Sequence, residues 1–357
     1  MKRVFAGIFW CSVLVFAAAA ADTYLVCVSN EGSGDVSIID PIKQEVVASV
    51  PVGKRPRGIQ GSPDGRLLYV AVSGTPNLGP PKLDPQGNPI FDKKAETKNT
   101  DSAADGIAVL DLLARKLVKK LPASTDPEQF ALGANGRKLY IANEDAATLS
   151  ILNVDYGDVE HVIPVHEEPE GVAVSPDGRY VYVTCETRGE ICVIDARNSR
   201  KVAEFTVGGR PRNVALLPDS SRAFIPSESS GKIHVVDVAR HEVLQTIALP
   251  GGSRPMDVKI GRDGKKLYVS NGRAGTISVI DTHTLRVLNT IKVGVRPWGL
   301  GLSPDGKLLY VANGPSNDVT TIDLNTETEI KRVRVGQSPW GIAIVRKLPD
   351  ANPSAAF

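Results

Sequence analysis

Short apolar runs alternate with tight polar turns along most of this chain. The clearest example is the segment 297–323. Its apolar positions form the runs Gly299–Ser303, Leu308–Ala312 and Val319–Ile322. The first two runs are joined by Pro304-Asp305-Gly306, where proline presets φ and glycine accepts a positive φ. Runs of this length, rich in β-branched and aromatic residues, predict β-strands.

Three markers repeat along the chain in one register. The first is a proline at Pro56, Pro127, Pro169, Pro211, Pro255, Pro297 and Pro339. The second is an aromatic position, held by Tyr69, Tyr140, Tyr182, Phe224, Tyr268 and Tyr310, with Cys27 in the same place near the start. The third is Asp40, Asp111, Asn153, Asp195, Asp237, Asp281 and Asp323. Most steps are 42 residues, and one of 71 indicates an insert.

A period of about 40 residues with four predicted strands per unit is typical of β-propeller blades. The chain begins in mid-unit with strands predicted at Leu25–Ser29, Val36–Asp40 and Val46–Val50, and its last unit has one strand, Gly341–Val345. Pairing these two parts would complete a seventh blade and remove two open sheet edges. We therefore predict an all-β, seven-bladed β-propeller whose ring is closed by pairing N-terminal strands with the last C-terminal strand.

The segments outside this repeat have their own composition. Residues 1–21 combine Lys2 and Arg3 with an apolar core and a run of alanines, which predicts a cleaved signal peptide and hence a periplasmic or secreted protein. The propeller is expected over residues 22–347, with a proline-rich insert at 75–105 and a flexible tail at 348–357. Without the leader the charge is near zero, which argues against nucleic-acid binding, and no later segment predicts membrane insertion.

The repeated runs Tyr140–Asn143, Val181–Thr184 and Tyr310–Asn313, with the V-I-D and P-x-G-I-A elements that follow, resemble the YVTN family of β-propeller repeats. Among such proteins, the chain looks like the exported seven-repeat propellers associated with PQQ-dependent alcohol catabolism. The resemblance implies partners such as a periplasmic quinoprotein dehydrogenase, a c-type cytochrome or a transporter component. We found no motif for PQQ or another cofactor, so no cofactor is predicted, although the resemblance leaves room for PQQ.

In a propeller, the loops entering the innermost strands and the loops after the second strands share one face. This face should carry arginines, glutamates and two tryptophans, so we expect a small-molecule or partner-binding site there. The candidates are Arg57, Glu170, Arg212, Trp298, Trp340, Glu31, Glu144, Glu186 and Glu228. The alternative is that Arg–Glu pairs lock neighbouring blades together and the indoles act as packing plugs.

No nucleophile, phosphate-binding or metal-ligand motif stands out, so no catalytic or metal-binding residue is predicted. The main hypothesis is a non-catalytic accessory protein. The alternatives are a hydrolase of lactonase type with a channel-mouth site and a structural surface protein. The five histidines fall away from the predicted face, which counts against the hydrolase. Cys185 and Cys192 flank a predicted hairpin loop and could form a disulfide, with geometry deciding.

Overall fold

The computed structural model describes residues 23–76, 82–83, 89–90 and 100–348. These residues form seven four-stranded antiparallel sheets, which confirms the predicted all-β, seven-bladed propeller. The described part also has one 3₁₀ turn, Ser102–Ala104, and it has no helix long and apolar enough to cross a membrane. The predicted leader, most of the predicted insert and all of the predicted tail except Leu348 lie outside the described residues.

The strands follow the repeat closely. The chain begins with β1 (Tyr24–Asn30), β2 (Asp35–Asp40) and β3 (Glu45–Pro51). Blade 1 holds β4 (Ile59–Gly61), β5 (Leu67–Val72), β8 (Gly106–Asp111) and β9 (Lys116–Leu121), with a separate pair, β6 (Lys82–Leu83) and β7 (Pro89–Ile90), between β5 and β8. This pair lies within the predicted proline-rich insert.

Blades 2 to 6 are contiguous in sequence. Blade 2 holds β10 (Pro127–Leu132), β11 (Lys138–Asn143), β12 (Thr148–Asn153) and β13 (Asp158–Pro164). Blade 3 holds β14 (Pro169–Val174), β15 (Tyr180–Cys185), β16 (Glu190–Asp195) and β17 (Arg200–Thr206). Blade 4 holds β18 (Ala215–Leu216), β19 (Arg222–Ser227), β20 (Lys232–Asp237) and β21 (Glu242–Ala248). Blade 5 holds β22 (Pro255–Ile260), β23 (Lys266–Asn271), β24 (Thr276–Asp281) and β25 (Val287–Lys292). Blade 6 holds β26 (Pro297–Leu302), β27 (Leu308–Asn313), β28 (Asp318–Asp323) and β29 (Thr328–Arg334).

The ring closes as the repeat predicts. The last strand, β30 (Pro339–Arg346), pairs antiparallel with β1, so that Cys27 lies opposite Ala343. Blade 7 therefore has the order β3-β2-β1-β30, with the C-terminal strand innermost. The hydrophobic core consists of layers between neighbouring blades, and the repeated aromatic residue packs into such a layer. Tyr140 of blade 2, for example, belongs to one cluster with Val181 of blade 3.

A left-handed turn begins every blade. The residue before the marker proline has a φ between 43° and 56° at Arg55, Asp126, Glu168, Arg210, Arg254, Arg296 and Ser338. Six of their carbonyls, all except that of Arg55, accept the backbone N–H of the residue that follows the second strand, at 2.9 to 3.3 Å. The donors are Glu144, Glu186, Glu228, Gly272, Gly314 and Glu31. This bond brings the two sets of loops together on one face.

The first strands of neighbouring blades approach so closely that some positions require glycine. Gly171 lies two residues after the marker proline of blade 3. An added Cβ there would be 2.1 Å from the backbone oxygen of Arg212 in blade 4. The same close approach occurs at Gly341, where a Cβ would be 2.7 Å from the Arg57 oxygen. These contacts explain the glycine of the P-x-G element.

We expect Gly171→Ala to lower the free energy of unfolding by about 1–3 kcal/mol, because the new methyl group meets backbone that cannot move aside. Gly251→Ala is the matched control. It adds the same methyl group where no atom lies within 4 Å, and it should leave stability unchanged. Urea unfolding of both variants measures the difference, and equal stability of the two would contradict the packing described here.

Candidate functional site

The loops that meet through these hydrogen bonds surround one end of the central channel, which we call the channel mouth. All nine predicted binding candidates lie in these loops or at the adjoining strand ends. Among them, blades 2 and 3 contribute Glu144, Glu170 and Glu186, blade 1 contributes Arg57, blade 4 contributes Arg212 and Glu228, and blade 7 contributes Glu31. Blades 6 and 7 contribute the tryptophans. The charged residues form two clusters, each built around one buried guanidinium.

Arg57 is the centre of the first cluster and is only 2% exposed. Its Nη2 contacts the Asp126 carboxylate and donates to the Pro127 carbonyl oxygen at 3.1 Å. Its Nη1 lies 3.3 Å from Glu128 Oε1 and 3.4 Å from Glu144 Oε2. One arginine of blade 1 thus pairs with three acids of blade 2. This arrangement matches the alternative that the sequence left open, in which Arg–Glu pairs hold neighbouring blades together.

Arg212 of blade 4 is the centre of the second cluster. Its Nη1 contacts the carboxylates of Glu170 and Glu186 from blade 3. Its Nε and Nη2 donate to Glu228 Oε2 at 2.9 and 2.6 Å. Arg210 reinforces the cluster, since its Nη2 contacts Glu186 and its Nε lies 3.7 Å from Glu228.

Carboxyl groups outnumber guanidinium groups in the two clusters, where Asp126, Glu128, Glu144, Glu170, Glu186 and Glu228 surround Arg57, Arg210 and Arg212. Burial, together with the charge of Glu128, raises the pKa of Glu144 well above its ordinary value. Burial also raises the pKa of Glu186 to about 7, against the opposing effect of its arginines. Glu186 can therefore exchange a proton near neutral pH, and Glu144 keeps its proton to a higher pH than an ordinary glutamate does.

Other carboxyl groups of the mouth are held ionised. At Glu128 burial acts to raise the pKa, but the charge of Arg57, a hydrogen bond with Glu144 and the charges of Arg212 and Arg55 together lower it. At Glu228 burial acts to raise the pKa, but the charges of Arg212, Arg210 and Arg254 and a hydrogen bond with Arg212 together lower it to about 2. The Glu144 side chain is 28% exposed, whereas that of Glu186 is 3% exposed. Glu144 is therefore the proton-holding carboxyl that a ligand in the mouth can reach most directly.

The two tryptophans form an aromatic plate opposite the acids. The ring centroids of Trp298 and Trp340 are 5.2 Å apart, with 34° between the ring planes. The guanidinium carbons of Arg296 and Arg212 lie 5.3 and 5.5 Å from the Trp298 ring centroid. Arg296 is exposed, and it has no ion pair with any residue that the structure describes. It can therefore offer a cation to an anionic ligand.

The central channel opens below this plate, with a volume of about 580 Å³. Glu170, Arg212, Trp298 and Trp340 all contribute to its lining. A polar pair inside the channel was not predicted: Asn213 Nδ2 donates to Asp257 Oδ1 at 2.6 Å. Blades 1, 3, 6 and 7 carry the P-x-G glycine at this position. A polar residue in its place, Asn213 or Asp257, is the sequence feature that could have predicted the pair.

The structure thus brings eight of the nine candidates into two clusters and one plate. Glu31 lies beside them, because its Oε1 accepts from Arg55 Nε at 3.1 Å. Two further residues of the site, Asp126 and Glu128, were not predicted. They flank Pro127 and contact Arg57 directly. Their position in the repeat could have predicted them, because in blade 2 they correspond to Arg55 and Arg57 of blade 1.

The predicted disulfide is not formed in the structure. Cys185 and Cys192 are buried free thiols, as is Cys27. Val183, not Cys185, lies opposite Cys192, so the two cysteines are diagonal neighbours. Diagonal Cα atoms are about 7–8 Å apart, beyond the usual span of a disulfide. The sulfurs instead share a hydrogen bond, which outweighs burial and lowers the pKa of Cys192 to about 7.

The histidines take no part in the two charge clusters. His166 is closest to the predicted face, because it lies in the loop that leads into β14, and its Nε2 is 3.1 Å from Glu190 Oε2. His234 is buried in β20, and His241 accepts or donates a hydrogen bond at 2.9 Å with the Tyr182 hydroxyl. Any acid–base chemistry at the mouth must therefore use carboxyl groups.

Comparisons with known proteins agree on the fold. A family model described as a lactonase, seven-bladed β-propeller, matches residues 171–335, which lie in blades 3 to 6 and make up slightly less than half of the chain. Antigen Lp49 of Leptospira interrogans is 32% identical over 139 residues. That match covers 33% of this chain and 30% of the antigen, so the region shared with this relative is under a third of its length.

Solved structures cover nearly the whole chain at low identity. A structure from Bacteroides fragilis, provisionally named a 6-phosphogluconolactonase, has a TM-score of 0.73 at 17% identity and covers 92% of this chain and 99% of its own. The periplasmic gluconolactonase PpgL of Pseudomonas aeruginosa has a TM-score of 0.68 at 20% identity, with coverage of 91% and 99%. At these identities the likeness shows the fold alone.

The family match corrects the main functional prediction. The non-catalytic accessory role beside PQQ-dependent alcohol oxidation is wrong on this evidence, because the matching model is that of lactonase propellers. The association with PQQ systems rested on resemblance in the repeat, the leader and the insert, and these features are not specific to one activity. The findings favour the hydrolase alternative instead.

Replacing Arg57 tests how far the mouth depends on its buried cations. We expect Arg57→Met to lower the free energy of unfolding by about 3–5 kcal/mol, because three acids of blade 2 would lose their shared partner. Arg240→Met is the control, since Arg240 pairs with Asp237 at 3.3 Å but its side chain is 69% exposed. Chemical unfolding measures both, and a similar small loss in each would contradict the role assigned to Arg57.

Proposed function

We propose that the protein is a hydrolase of lactones that works at the channel mouth. The observation that carries the proposal is the group of buried carboxyls in blades 2 and 3, in which Glu144 and Glu186 have raised pKa values beside Arg57 and Arg212. The lactonase family model, which matches part of the chain including Glu186 and Arg212, supports the same assignment. Ester hydrolysis needs a proton acceptor, a proton donor and a cation near the carbonyl oxygen.

Each need has a candidate at the mouth. Glu186, with a pKa of about 7, would accept a proton from the water that attacks the lactone carbonyl carbon. Arg212, which contacts Glu186, would stabilise the negative charge that develops on the carbonyl oxygen. As the ring C–O bond breaks, Glu144 would donate its proton to the departing oxygen. The product is an open-chain hydroxy acid, whose carboxylate leaves the mouth as an anion.

Substrate binding would use the other side of the mouth. The Trp298–Trp340 plate offers an apolar surface for the C–H face of a sugar-derived ring. Arg296 lies 5.3 Å from the Trp298 ring centroid, where it could hold a phosphate or carboxylate substituent. We therefore expect lactones with an anionic substituent to be the better substrates.

The test is hydrolysis of a panel of five- and six-membered sugar lactones, with and without a phosphate group. Wild-type protein should turn over at least one of them, and kcat/KM should rise with pH towards about 7 as Glu186 loses its proton. Glu186→Gln and Glu144→Gln should each lower kcat by about 100-fold or more, the usual contribution of a positioned acid or base.

Glu242→Gln is the matched control for this test. Glu242 begins the fourth strand of blade 4 at the end away from the mouth, and its side chain is 58% exposed. It should keep full activity. Unfolding midpoints of all three variants separate a lost proton transfer from a lost fold. Absence of turnover across the panel, or full activity in both mouth variants, would reject the proposal.

The anion preference has its own test. Arg296→Gln should raise KM for a phosphorylated lactone by about tenfold and leave KM for its neutral counterpart nearly unchanged, because only the former loses an ion pair. Steady-state kinetics on the matched substrates measure the difference. An equal effect on both substrates would place the anionic group elsewhere.

A further inference from the structure

Four blades contain the same buried polar pair. The last residue of the second strand is an asparagine, and its side-chain amide donates to a hydroxyl seven residues later on the third strand, at 2.8 to 2.9 Å. The pairs are Asn30–Ser37, Asn143–Ser150, Asn271–Ser278 and Asn313–Thr320. In blade 3 the same two positions hold Cys185 and Cys192, so that two thiols replace an amide and a hydroxyl.

The residues around these thiols also differ from their counterparts. Glu190 lies directly opposite Cys185 on β16, and Glu204 lies directly opposite Cys192 on β17. All four side chains are on one face of the blade, because partners in register and residues two apart share a face. In blade 2 the two acidic positions are Thr148 and Val162.

His166 completes the group from the loop before β14. Its Nε2 lies 3.1 Å from Glu190 Oε2 and 3.3 Å from Glu204 Oε2. The ligand atoms of His166, Cys192 and Glu204 are all within 4.8 Å of one another. Cys185 adds a second sulfur, because it hydrogen-bonds to Cys192. Sulfur, imidazole nitrogen and carboxylate oxygen thus converge on one point.

We propose that Cys185, Cys192, His166 and Glu204 form a binding site for a zinc-class divalent cation. Two thiolates, one imidazole and one carboxylate are a ligand set that suits tetrahedral Zn²⁺. With zinc–ligand bonds of about 2.0–2.3 Å, ligand atoms in such a site are about 3.3–3.8 Å apart. His166, Cys192 and Glu204 need to contract by only about 1 Å from their separations in the structure, and Cys185 would approach from its diagonal position beside Cys192.

The immediate surroundings support a cation at this point. Glu190 Oε2 is buried and has no hydrogen-bond partner among the described residues, although it lies beside His166. It can therefore accept a hydrogen bond from a ligand or act as a further ligand. The sulfurs themselves are shielded within the apolar cluster between blades 2 and 3, which protects thiolate–metal bonds from water.

A path from solvent exists on the carboxylate side. The Glu204 side chain is 53% exposed and that of His166 is 19% exposed, while both cysteines are buried. Lys201 Nζ donates to Glu204 Oε2 at 2.7 Å in the structure. The Lys201 side chain is 36% exposed, so it can release the carboxylate to an incoming cation and turn towards water.

The experiment is titration of the purified, reduced protein with Co²⁺, followed by displacement with Zn²⁺ in competition with a chromophoric chelator. Wild-type protein should bind one equivalent and show a thiolate-to-cobalt charge-transfer band with the visible bands of a tetrahedral site. Cys192→Ser and His166→Asn should each weaken Zn²⁺ binding by about 100-fold or more. The histidine variant changes a surface loop, so it remains informative if the buried cysteine variant fails to fold.

Cys27→Ser is the matched control, because Cys27 is also a buried free thiol but lies in blade 7. It should keep the wild-type spectrum and stoichiometry. Three results would overturn the proposal: no charge-transfer band, equal affinity in wild type and His166→Asn, or a Cys185–Cys192 disulfide that Zn²⁺ does not prevent from forming in air. Lactone turnover is not part of the test, so the outcome does not depend on the proposed activity.

Discussion

One backbone hydrogen bond, repeated around the ring, fixes the arrangement of the channel mouth. The residue before each marker proline adopts a left-handed conformation, which costs a residue other than glycine about 1–2 kcal/mol. In six blades its carbonyl accepts the N–H of the residue after the second strand. Because the bond joins backbone atoms, it constrains no side chain, and these positions are free to carry arginine, glutamate, aspartate, serine or glycine.

The mouth uses this freedom unevenly. Acids are concentrated in blades 2 and 3, guanidinium groups come from both sides, and indoles stand in blades 6 and 7. Six carboxyl groups are buried or half-buried around Arg57, Arg210 and Arg212. This burial, with the charges of neighbouring glutamates, raises the pKa of Glu144 and Glu186. The same buried charges therefore affect both the stability of the mouth and the tendency of its carboxyl groups to exchange protons.

Much of the fold could be predicted from the sequence, because the markers at Pro56, Tyr69 and Asp111 repeat with one spacing. That spacing gives the position of each strand within its blade, and the packing between blades requires the same positions. The placement of the candidates followed from that spacing. The partners of each side chain could not be predicted in this way. Arg57 contacts Asp126 and Glu128 because of the direction in which each side chain leaves its loop, which the repeat does not determine. The diagonal offset of Cys185 and Cys192 likewise depends on strand register at single-residue precision. Function was least predictable, since one propeller scaffold supports many activities.

The pairing of Cys27 with Ala343 has a consequence for the order in which the protein folds. Blades 2 to 6 each use consecutive strands, so they can form while the ribosome is still adding residues. Blade 7 must wait for β30, so the edge of β1 stays uncovered until synthesis has passed residue 346. An unpaired edge of this kind can recruit a strand from another molecule. The first hairpin is therefore exposed to wrong pairing until β30 has been made.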